Sequence, residues 1–427
     1  MPSRRLKVRG RLFVDTAPLR HSRGFRLLFS GQLVSTMGTQ LTAVAVPYQV
    51  FQLTHSSLDV GLVSLAQLVP LLVLSMLGGV LADTHDRRRV LMVTELLMAL
   101  ASTGLAVNGS RSHPALWPLF VFSAALGGLA GLDRPAFSAT IPRLVAHGDL
   151  VGAYALWQVQ LQIGIVVGPA LAGLILAGGG TAPVYWLDVA SFVVSFGSVT
   201  LQRPQPPAHD ARRAGWRSVG EGFSYLRGRQ VIQGVYLLDI DAMVFGMPRA
   251  LFPALGLNFF HGGAPAVGLL YAAPGAGAVI GALTTGWVKV VRRQGLAVII
   301  AVALWGAAIA LFGLVDILWV ALALLALAGW ADVVSAVFRN TILQMAVPDS
   351  LRGRLSAIQI AVVQGGPRLG DLESGSVAAG FGTGFSVVSG GVACVVGAAI
   401  LAVALPGFRR QEAGDAGPGP ARDRPEG

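Results

Sequence analysis

The sequence predicts an all-α integral membrane protein with twelve transmembrane helices arranged as two six-helix pseudo-repeats. Three observations lead to this fold class. The 427-residue chain is 54% hydrophobic and only 12% charged, whereas soluble proteins carry about 25% charged residues. It divides into apolar runs long enough to cross a bilayer, which takes about 20 residues each. Its basic residues gather in alternate loops between those runs, as they do on the cytoplasmic side of membrane proteins.

The apolar runs define the predicted spans. In the first half they cover residues 25–52, 58–82, 89–108, 114–139, 150–178 and 182–201. In the second half they cover residues 231–258, 265–288, 295–315, 317–345, 354–380 and 383–405. The first run is too long for the apolar segment of a signal peptide and is therefore predicted to be a retained first span.

The basic residues predict the orientation. Of the 32 lysines and arginines, 27 lie in the termini and in the loops of one face, and the loops of the other face carry Arg111 alone. The remaining four lie inside spans or at their ends: Arg134, Arg249, Arg339 and Arg368. By the positive-inside rule, both termini are cytoplasmic, and the chain is a multi-pass protein of the inner (plasma) membrane.

Five regions follow from this pattern. They are a basic cytoplasmic N-terminus (1–24), a six-helix bundle (25–201), a cytoplasmic central loop (202–230), a second six-helix bundle (231–405) and a disordered cytoplasmic tail (406–427). The central loop has apolar residues at helical spacing, which predicts an amphipathic helix on the membrane surface, with a mobile linker as the alternative. Those residues are Trp216, Val219, Phe223 and Leu226.

The two halves repeat weakly. Gly61-Leu62-Val63 precedes Gly79 by the same interval that separates Gly268-Leu269-Leu270 from Gly286. Parallel repeats of six spans, related by an axis along the membrane normal, are one of the internal symmetries of secondary transporters.

The loop after span 2 carries the most specific motif, Gly79-Val80-Leu81-Ala82-Asp83 followed by Arg87-Arg88-Arg89. Its pattern resembles the signature loop of the major facilitator superfamily. In that family the loop aspartate and arginine pair with an acidic residue near the cytoplasmic end of span 4, which corresponds to Asp133. The resemblance implies a conformational lock, formed by Gly79, Asp83, Arg87, Arg88 and Asp133, that closes the cytoplasmic side when the pore opens outward.

A second motif lies in span 5, between Gly164 and Gly173. It resembles the glycine-proline motif of major facilitator exporters, which packs against span 8 and is associated with antiporters more than with importers. Gly164, Gly168, Pro169 and Gly173 are therefore predicted to form a helix-packing, antiporter-like motif. Ordinary packing of small residues between membrane helices is the alternative.

Charged residues inside apolar runs are costly and are therefore functional candidates. A carboxylate that faces a cavity is suited to bind and release a coupled proton. The candidates for this role are Asp239, Asp241, Asp371 and Glu373, with Asp239 or Asp241 favoured over Asp188. Arg368 and Asp371 share a helix face and are expected to neutralise each other. A purely structural role is the alternative for each of these residues.

A polar stripe on span 1 resembles a substrate-facing wall, because spans 1, 4, 7 and 10 line the cavity in this superfamily. Hydrogen bonding between helices is the alternative. The substrate-cavity candidates are Gln32, Thr36, Thr39, Phe245 and Trp330, and Phe252 and Phe338 are expected to add aromatic surface.

Three stretches resemble the enterobactin-exporter and drug-efflux branch of the superfamily: 25–32, 185–192, and 348–354 leading into 369–371. The resemblance implies a proton-coupled exporter (an antiporter) that moves small organic or amphiphilic molecules, such as drugs or siderophores, by alternating access. An importer or facilitator of the same fold, and a membrane sensor that transports nothing, are the alternatives.

Several other classes of protein are not expected. The net charge of +11 does not indicate nucleic-acid binding, because the basic residues lie in separate short loops. The scattered histidines and the single cysteine, Cys394, predict no metal site, no cofactor and no enzyme activity. The expected partners are the lipid bilayer, a small-molecule substrate and protons, and the chain is predicted to be a monomer.

Overall fold

The computed structural model describes residues 15–206, 225–347 and 349–413, and twelve long helical segments dominate it. In the first half these are α1 (Arg23–Thr54), α2 (Ser57–Thr84), α3 (Arg87–Gly109), α4 (Trp117–Leu144), α5 (Leu150–Gly179) and α6 (Thr181–Thr200). In the second half they are α7 (Gln230–Phe245), α8 (Gly263–Thr284), α9 (Gln294–Phe312), α10 (Leu318–Ala346), α11 (Asp349–Phe381) and α12 (Thr383–Ala404). No strand occurs in the described ranges, and the predicted all-α class is confirmed.

Within the described residues, nine helices are long and apolar enough to cross a membrane. The other three, α1, α4 and α11, are flanked by members of that group. Helix α1 packs on α5 and α6, α4 packs on α2 and α3, and α11 packs on α2. The arrangement is consistent with twelve membrane crossings.

The junctions between helices repeat from one half to the other. Gly180 joins α5 to α6 with a φ of 72°, and Gly382 joins α11 to α12 with a φ of 90°. A positive φ combined with an extended ψ, −161° at Gly180 and 160° at Gly382, is essentially available only to glycine. His55 follows α1 with a φ of 52°, and His261 stands before α8 with a φ of 50°. Left-handed residues at matching places in both halves support the predicted pseudo-repeat.

Span 7 differs from its prediction as one continuous helix over 231–258. Helix α7 ends at Phe245, and the chain continues through a 3₁₀ turn (Arg249–Leu251), one α-helical turn and a π-helical turn (Leu255–Phe259). Pro248 and Pro253 cannot donate backbone hydrogen bonds, which removes two of the bonds that would hold a regular helix here. The carbonyl of Gly246 accepts a bond of 2.7 Å from the Trp305 indole instead, and that of Arg249 accepts one of 3.0 Å from the Tyr271 hydroxyl.

The regions outside the bundles are only partly described. The apolar residues of the predicted amphipathic helix at 216, 219 and 223 lie outside the described residues, as do positions 1–14 and 414–427. The prediction of disorder is wrong for the start of the tail, because Pro406–Arg409 forms a short helix. Phe408 anchors that helix, since its ring is 1% exposed and lies where a side chain at Gly234 would extend.

Two faces of the bundle are distinguished below. The termini face is the one where the chain enters α1 and leaves α12, and the opposite face carries the turn at His55. At the opposite face, apolar side chains of both halves form one buried cluster, here called the gate. Its members include Leu41, Val44 and Val50 from α1, Ala250 and Ala254 from span 7, and Ala264 and Val267 from α8.

Candidate functional site

Two pairs of helices bring the halves together beside the gate. A Cβ placed on Gly61 of α2 would lie 2.5 Å from the Asp371 carbonyl oxygen of α11, and one on Gly375 would lie 2.6 Å from the Ser57 carbonyl oxygen. A Cβ on Gly268 of α8 would lie 2.5 Å from the Pro169 carbonyl oxygen of α5. Backbones this close leave no room for side chains, so the opposite face is closed.

The termini face is held together differently. Every hydrogen bond and ring contact described there joins residues of the same half, such as Arg88 Nε to the Val199 carbonyl oxygen and Trp287 stacked on Trp330. Among the side chains that the structure describes, the contacts that cross between the halves extend to about mid-helix, where Gln162 Nε2 lies 3.4 Å from the Gly275 carbonyl oxygen. The halves therefore enclose a space that is shut at the opposite face and approached from the termini face.

Asp133 of α4 lies inside the first half beside this space. Its carboxylate accepts hydrogen bonds from Thr94 Oγ1 at 2.9 Å and from Gln32 Nε2 at 3.3 Å. Because Gln32 reaches across from α1, the polar stripe of α1 faces the interior of the bundle. Thr39 lies on the same stripe and is exposed, so its exposure is to the interior space. Thr36, next to it, accepts a bond of 3.4 Å from Gln160 Nε2.

The predicted conformational lock is not assembled in this state. Arg87 Nη1 donates to the Ala139 carbonyl oxygen at 2.8 Å, and Arg88 donates to the carbonyl oxygens of Val199 and Thr200. Arginines beside helix C-termini are favourable because exposed carbonyls carry partial negative charge there. Asp83 lies within charge range of Arg87, but no salt bridge between described residues joins Arg87 to Asp133. The lock therefore stays a prediction for a state in which the termini face is closed.

The loop between α2 and α3 is also flanked by Gly79 and by the start of the central loop. A side chain at Gly79 would meet nothing within 4 Å, so its glycine is not required by packing here. The backbone of Gln205 donates to Asp86 Oδ1 at 3.0 Å and accepts from the Arg87 N–H at 3.2 Å. The start of the central loop therefore lies directly against the loop between α2 and α3.

The span 5 motif contacts two different helices. Gly164 and Gly168 lie against α1, because Cβ atoms there would come within 2.7 Å of Thr36 Cγ2 and 2.5 Å of Gln40 Cβ. Pro169 and Gly173 lie against α8, where the Gly173 Cβ would be 2.8 Å from the Ala264 carbonyl oxygen. The expected contact with span 8 therefore holds for half of the motif, and the other half packs α5 onto α1.

Asp239, one of the two favoured proton-coupling candidates, is a member of an ion-pair group. Arg339 Nη1 of α10 lies 2.9 Å from Asp239 Oδ1, and Arg339 Nη2 lies 3.5 Å from Asp332 Oδ1. The pair between Asp239 and Arg339 is buried, with the side chains 4% and 6% exposed. A guanidinium held between two carboxylates indicates a structural role for this group.

Asp241 points toward α12. It lies beside the buried thiol of Cys394, and a Cβ on Gly397 would come 2.1 Å from Asp241 Oδ1. Asp241 therefore occupies a small pocket between α7 and α12 that Gly397 leaves open.

Asp371 lies where both halves meet. The Ser64 hydroxyl of α2 and the Ala250 N–H in the broken part of span 7 lie beside its carboxylate, and Arg249 and Arg368 lie within charge range. Glu373, two residues further along α11, is half-buried. The expected neutralisation of Asp371 by Arg368 is incomplete, because no described salt bridge joins them and Arg368 Nη1 donates instead to the Gln364 carbonyl oxygen at 2.7 Å.

The aromatic candidates divide into two groups. Phe245 is 37% exposed, at the break in span 7. Trp330 is half-buried and donates from Nε1 to Thr284 Oγ1 at 2.9 Å. Phe252 and Phe338, by contrast, are at most 2% exposed in the core of the second half. Their expected place on the cavity wall is therefore wrong, because both rings face neighbouring helices of their own half.

Sequence reasoning did not single out Glu95, although it lies in the middle of the apolar α3. Its Oε1 accepts a hydrogen bond of 2.6 Å from Ser195 Oγ. Nearby, Asp188 Oδ2 accepts bonds from Thr42 at 2.8 Å and from Ser102 at 2.7 Å. The first half therefore buries three carboxyl groups, Glu95, Asp133 and Asp188, that are held by hydroxyl or amide donors.

Comparison with known proteins gives the family. Residues 14–421 match the family described as transmembrane secretion effector. The chain belongs to this family of the major facilitator superfamily. The resemblance drawn from the loop after span 2 and from the span 5 motif is thereby confirmed, and the chain is a multi-pass membrane transporter.

Named relatives of this secretion-effector chain are exporters. It is 31% identical over 386 residues to the enterobactin exporter EntS of Citrobacter koseri. The aligned region covers 90% of this chain and 92% of the relative. Identity and coverage are the same for EntS of Shigella boydii and of Escherichia coli.

Solved transporter structures share the fold. The POT family transporter PepTSo aligns with a TM-score of 0.73 and 11% identity, covering 91% of this chain and 99% of that one. The nucleoside transporter NupG aligns with a TM-score of 0.70 and 15% identity, covering 90% and 98%. At such identities the similarity concerns the fold alone.

Proposed function

We propose that this transporter is a proton-coupled exporter of small organic or amphiphilic molecules in the bacterial inner membrane, with both termini cytoplasmic. Similarity to the enterobactin exporters supports export. The concentration of basic residues on the termini face supports the orientation. The enclosed space, shut at the opposite face, fits one state of an alternating-access cycle.

The position of Asp371 is the observation that carries the proton-coupling part of the proposal. Of the four predicted candidates, Asp371 has neighbours from both halves: Ser64 from the first, and Ala250, Arg249 and Arg368 from the second. Protonation there changes the charge at a contact that must break when the halves rock apart. A local charge change that biases a two-state contact is a general means of driving a conformational switch.

The other candidates are less suited to this role. Asp239 is held by Arg339, and Asp241 lies between α7 and α12 of one half. Glu373 shares α11 with Asp371 and serves as its matched control.

We expect cells that express the chain to export a panel of dyes and antibiotics, and a protonophore to stop that export. Asp371→Asn is expected to abolish the response to the proton gradient, because the side chain can no longer lose a proton. Glu373→Gln is expected to keep it. The measurement is the efflux rate from preloaded cells, with and without protonophore, at matched expression.

Two outcomes would contradict the proposal. Export that continues unchanged in the protonophore would exclude proton coupling. Uptake of the panel driven by the proton gradient, with no export, would identify an importer of the same fold.

A further inference from the structure

Three arginines lie on different helical segments beside the boundary between the halves. Arg134 lies on α4, Arg249 in the broken part of span 7, and Arg368 on α11. Arg368 lies within charge range of both Arg134 and Arg249, although Arg134 belongs to the other half. Three cations near the middle of a membrane bundle are costly and call for a specific explanation.

Their exposure and packing direct them to the boundary between the halves. Arg134 is exposed, while Arg249 and Arg368 are half-buried. One turn before Arg134, a Cβ on Gly131 would come 2.7 Å from the Leu71 carbonyl oxygen of α2, so this face of α4 is turned toward α2. Helix α2 in turn packs on α11, the helix of Arg368. Arg134 therefore points to the boundary between the halves.

The three arginines form no close ion pair with a nearby carboxylate among the described residues. The described residues contain four salt bridges, and none of them includes Arg134, Arg249 or Arg368. The Arg368 Nε atom is buried and has no hydrogen-bond partner. Arg339, in contrast, is held by two carboxylates on the same span and its neighbour. The chain thus pairs its structural arginine closely, whereas the other three have nearby carboxylates but no close ion pair among the described residues.

Three cations therefore lie at this boundary, and the carboxylates closest to them are engaged within the bundle. Asp133 and Asp371, two of the carboxylates near the arginines, are 6% and 8% exposed and accept donors from within the bundle. A third, Asp332, lies within charge range of Arg249 and is paired with Arg339. Guanidinium groups bind carboxylate, sulfonate and phosphate groups with planar, two-point hydrogen bonds. We propose that Arg134, Arg249 and Arg368 form a binding site for the anionic group of an organic substrate. This assignment rests on the proposed transport function and specifies its substrate class.

Binding of two dyes with a common xanthene ring tests the proposal directly. Purified full-length protein in nanodiscs is titrated with carboxyfluorescein, an organic anion, and with rhodamine 123, a cation, and binding is followed by fluorescence polarisation. We expect the anion to bind at least about tenfold more tightly, and each of Arg134→Gln, Arg249→Gln and Arg368→Gln to weaken it by about tenfold or more, the loss of one charged hydrogen bond. Replacement by lysine is expected to restore part of the affinity.

The control is Arg111→Gln, which removes an exposed arginine of the opposite face and is expected to leave binding unchanged. Thermal melting of each variant shows that it is folded. Nanodiscs of phosphatidylcholine, with and without phosphatidylglycerol, separate the two sources of an anion. Unchanged affinity assigns the site to soluble anions, and affinity that falls with phosphatidylglycerol assigns it to lipid headgroups.

Equal or tighter binding of the cation, or folded glutamine variants that bind the anion as the wild type does, would overturn the assignment. So would the absence of saturable binding by a carboxylate, a sulfonate and a phosphate monoester probe alike. A protein that binds the anion but exports nothing would contradict the exporter proposal and leave this site standing. Protonophore-sensitive export of cations, unaffected by the three substitutions, would support the exporter proposal and contradict the anion-binding site.

Discussion

Arg339→Gln is expected to destabilise the folded protein by about 3–5 kcal/mol, because it leaves two carboxylates without their cation inside the bundle. Arg339 lies 2.9 Å from Asp239 and 3.5 Å from Asp332. Asp239→Asn is expected to cost less, since Arg339 then keeps Asp332 as a partner. Thermal unfolding in detergent, followed by size-exclusion chromatography, measures both effects.

The double variant Asp239→Asn/Arg339→Gln is the matched control. It removes one of the two unpaired carboxylates and is expected to be more stable than Arg339→Gln alone, which gives a coupling energy between the two side chains. If Asp239→Asn instead keeps full stability and removes the response of transport to the proton gradient, then Asp239 is the coupling residue and the structural role assigned to it is wrong.

Gly268→Ala is expected to slow transport by about tenfold or more while the protein stays folded. The added Cβ would lie 2.5 Å from the Pro169 carbonyl oxygen and 2.8 Å from Gly173 Cα, at a backbone contact of the state in which the opposite face is closed. Overpacking of this kind costs about 1–3 kcal/mol. That penalty falls on one state of the cycle, and each 1.4 kcal/mol shifts the population about tenfold.

The control for this prediction is Gly178→Ala on α5. A Cβ at Gly178 would meet nothing within 4 Å, so transport is expected to continue at the normal rate. The test compares the transport rates of the two variants in proteoliposomes that contain equal amounts of purified protein. If Gly268→Ala transports as fast as Gly178→Ala, the contact between α5 and α8 does not control the cycle.

Much of the fold follows from the sequence because membrane helices must satisfy their backbone hydrogen bonds internally and must be long enough to cross the bilayer. The ends of α3, predicted at 89 and 108 and found at Arg87 and Gly109, illustrate how closely apolar length specifies a span. The break in span 7 was missed because its residues are as apolar as a continuous helix, and Pro248 and Pro253 are also tolerated within membrane helices.

The site was harder to predict because it depends on contacts between distant helices. Sequence reasoning identified Asp239 and Asp371 as charges within spans, but only the fold shows that Arg339 holds the first and that the second lies between the halves. The lock residues follow from a family motif, and a motif does not specify the conformational state in which its contacts form. Glu95 carried a usable signal, a carboxylate inside an apolar run, whereas the grouping of Arg134 with Arg368 required the packing of α4, α2 and α11.

The most direct test of alternating access is the side of the membrane from which a single cysteine at position 39 can be labelled. Thr39 is exposed on the interior stripe of α1. Among the described residues its hydroxyl donates to the Ser35 carbonyl oxygen of its own helix, and the native Cys394 is buried. In oriented proteoliposomes, a membrane-impermeant maleimide is added to one side or the other, with and without a proton gradient. The account predicts labelling from the termini face at rest and additional labelling from the opposite face under the gradient. Labelling from one side only, in every condition, would contradict it.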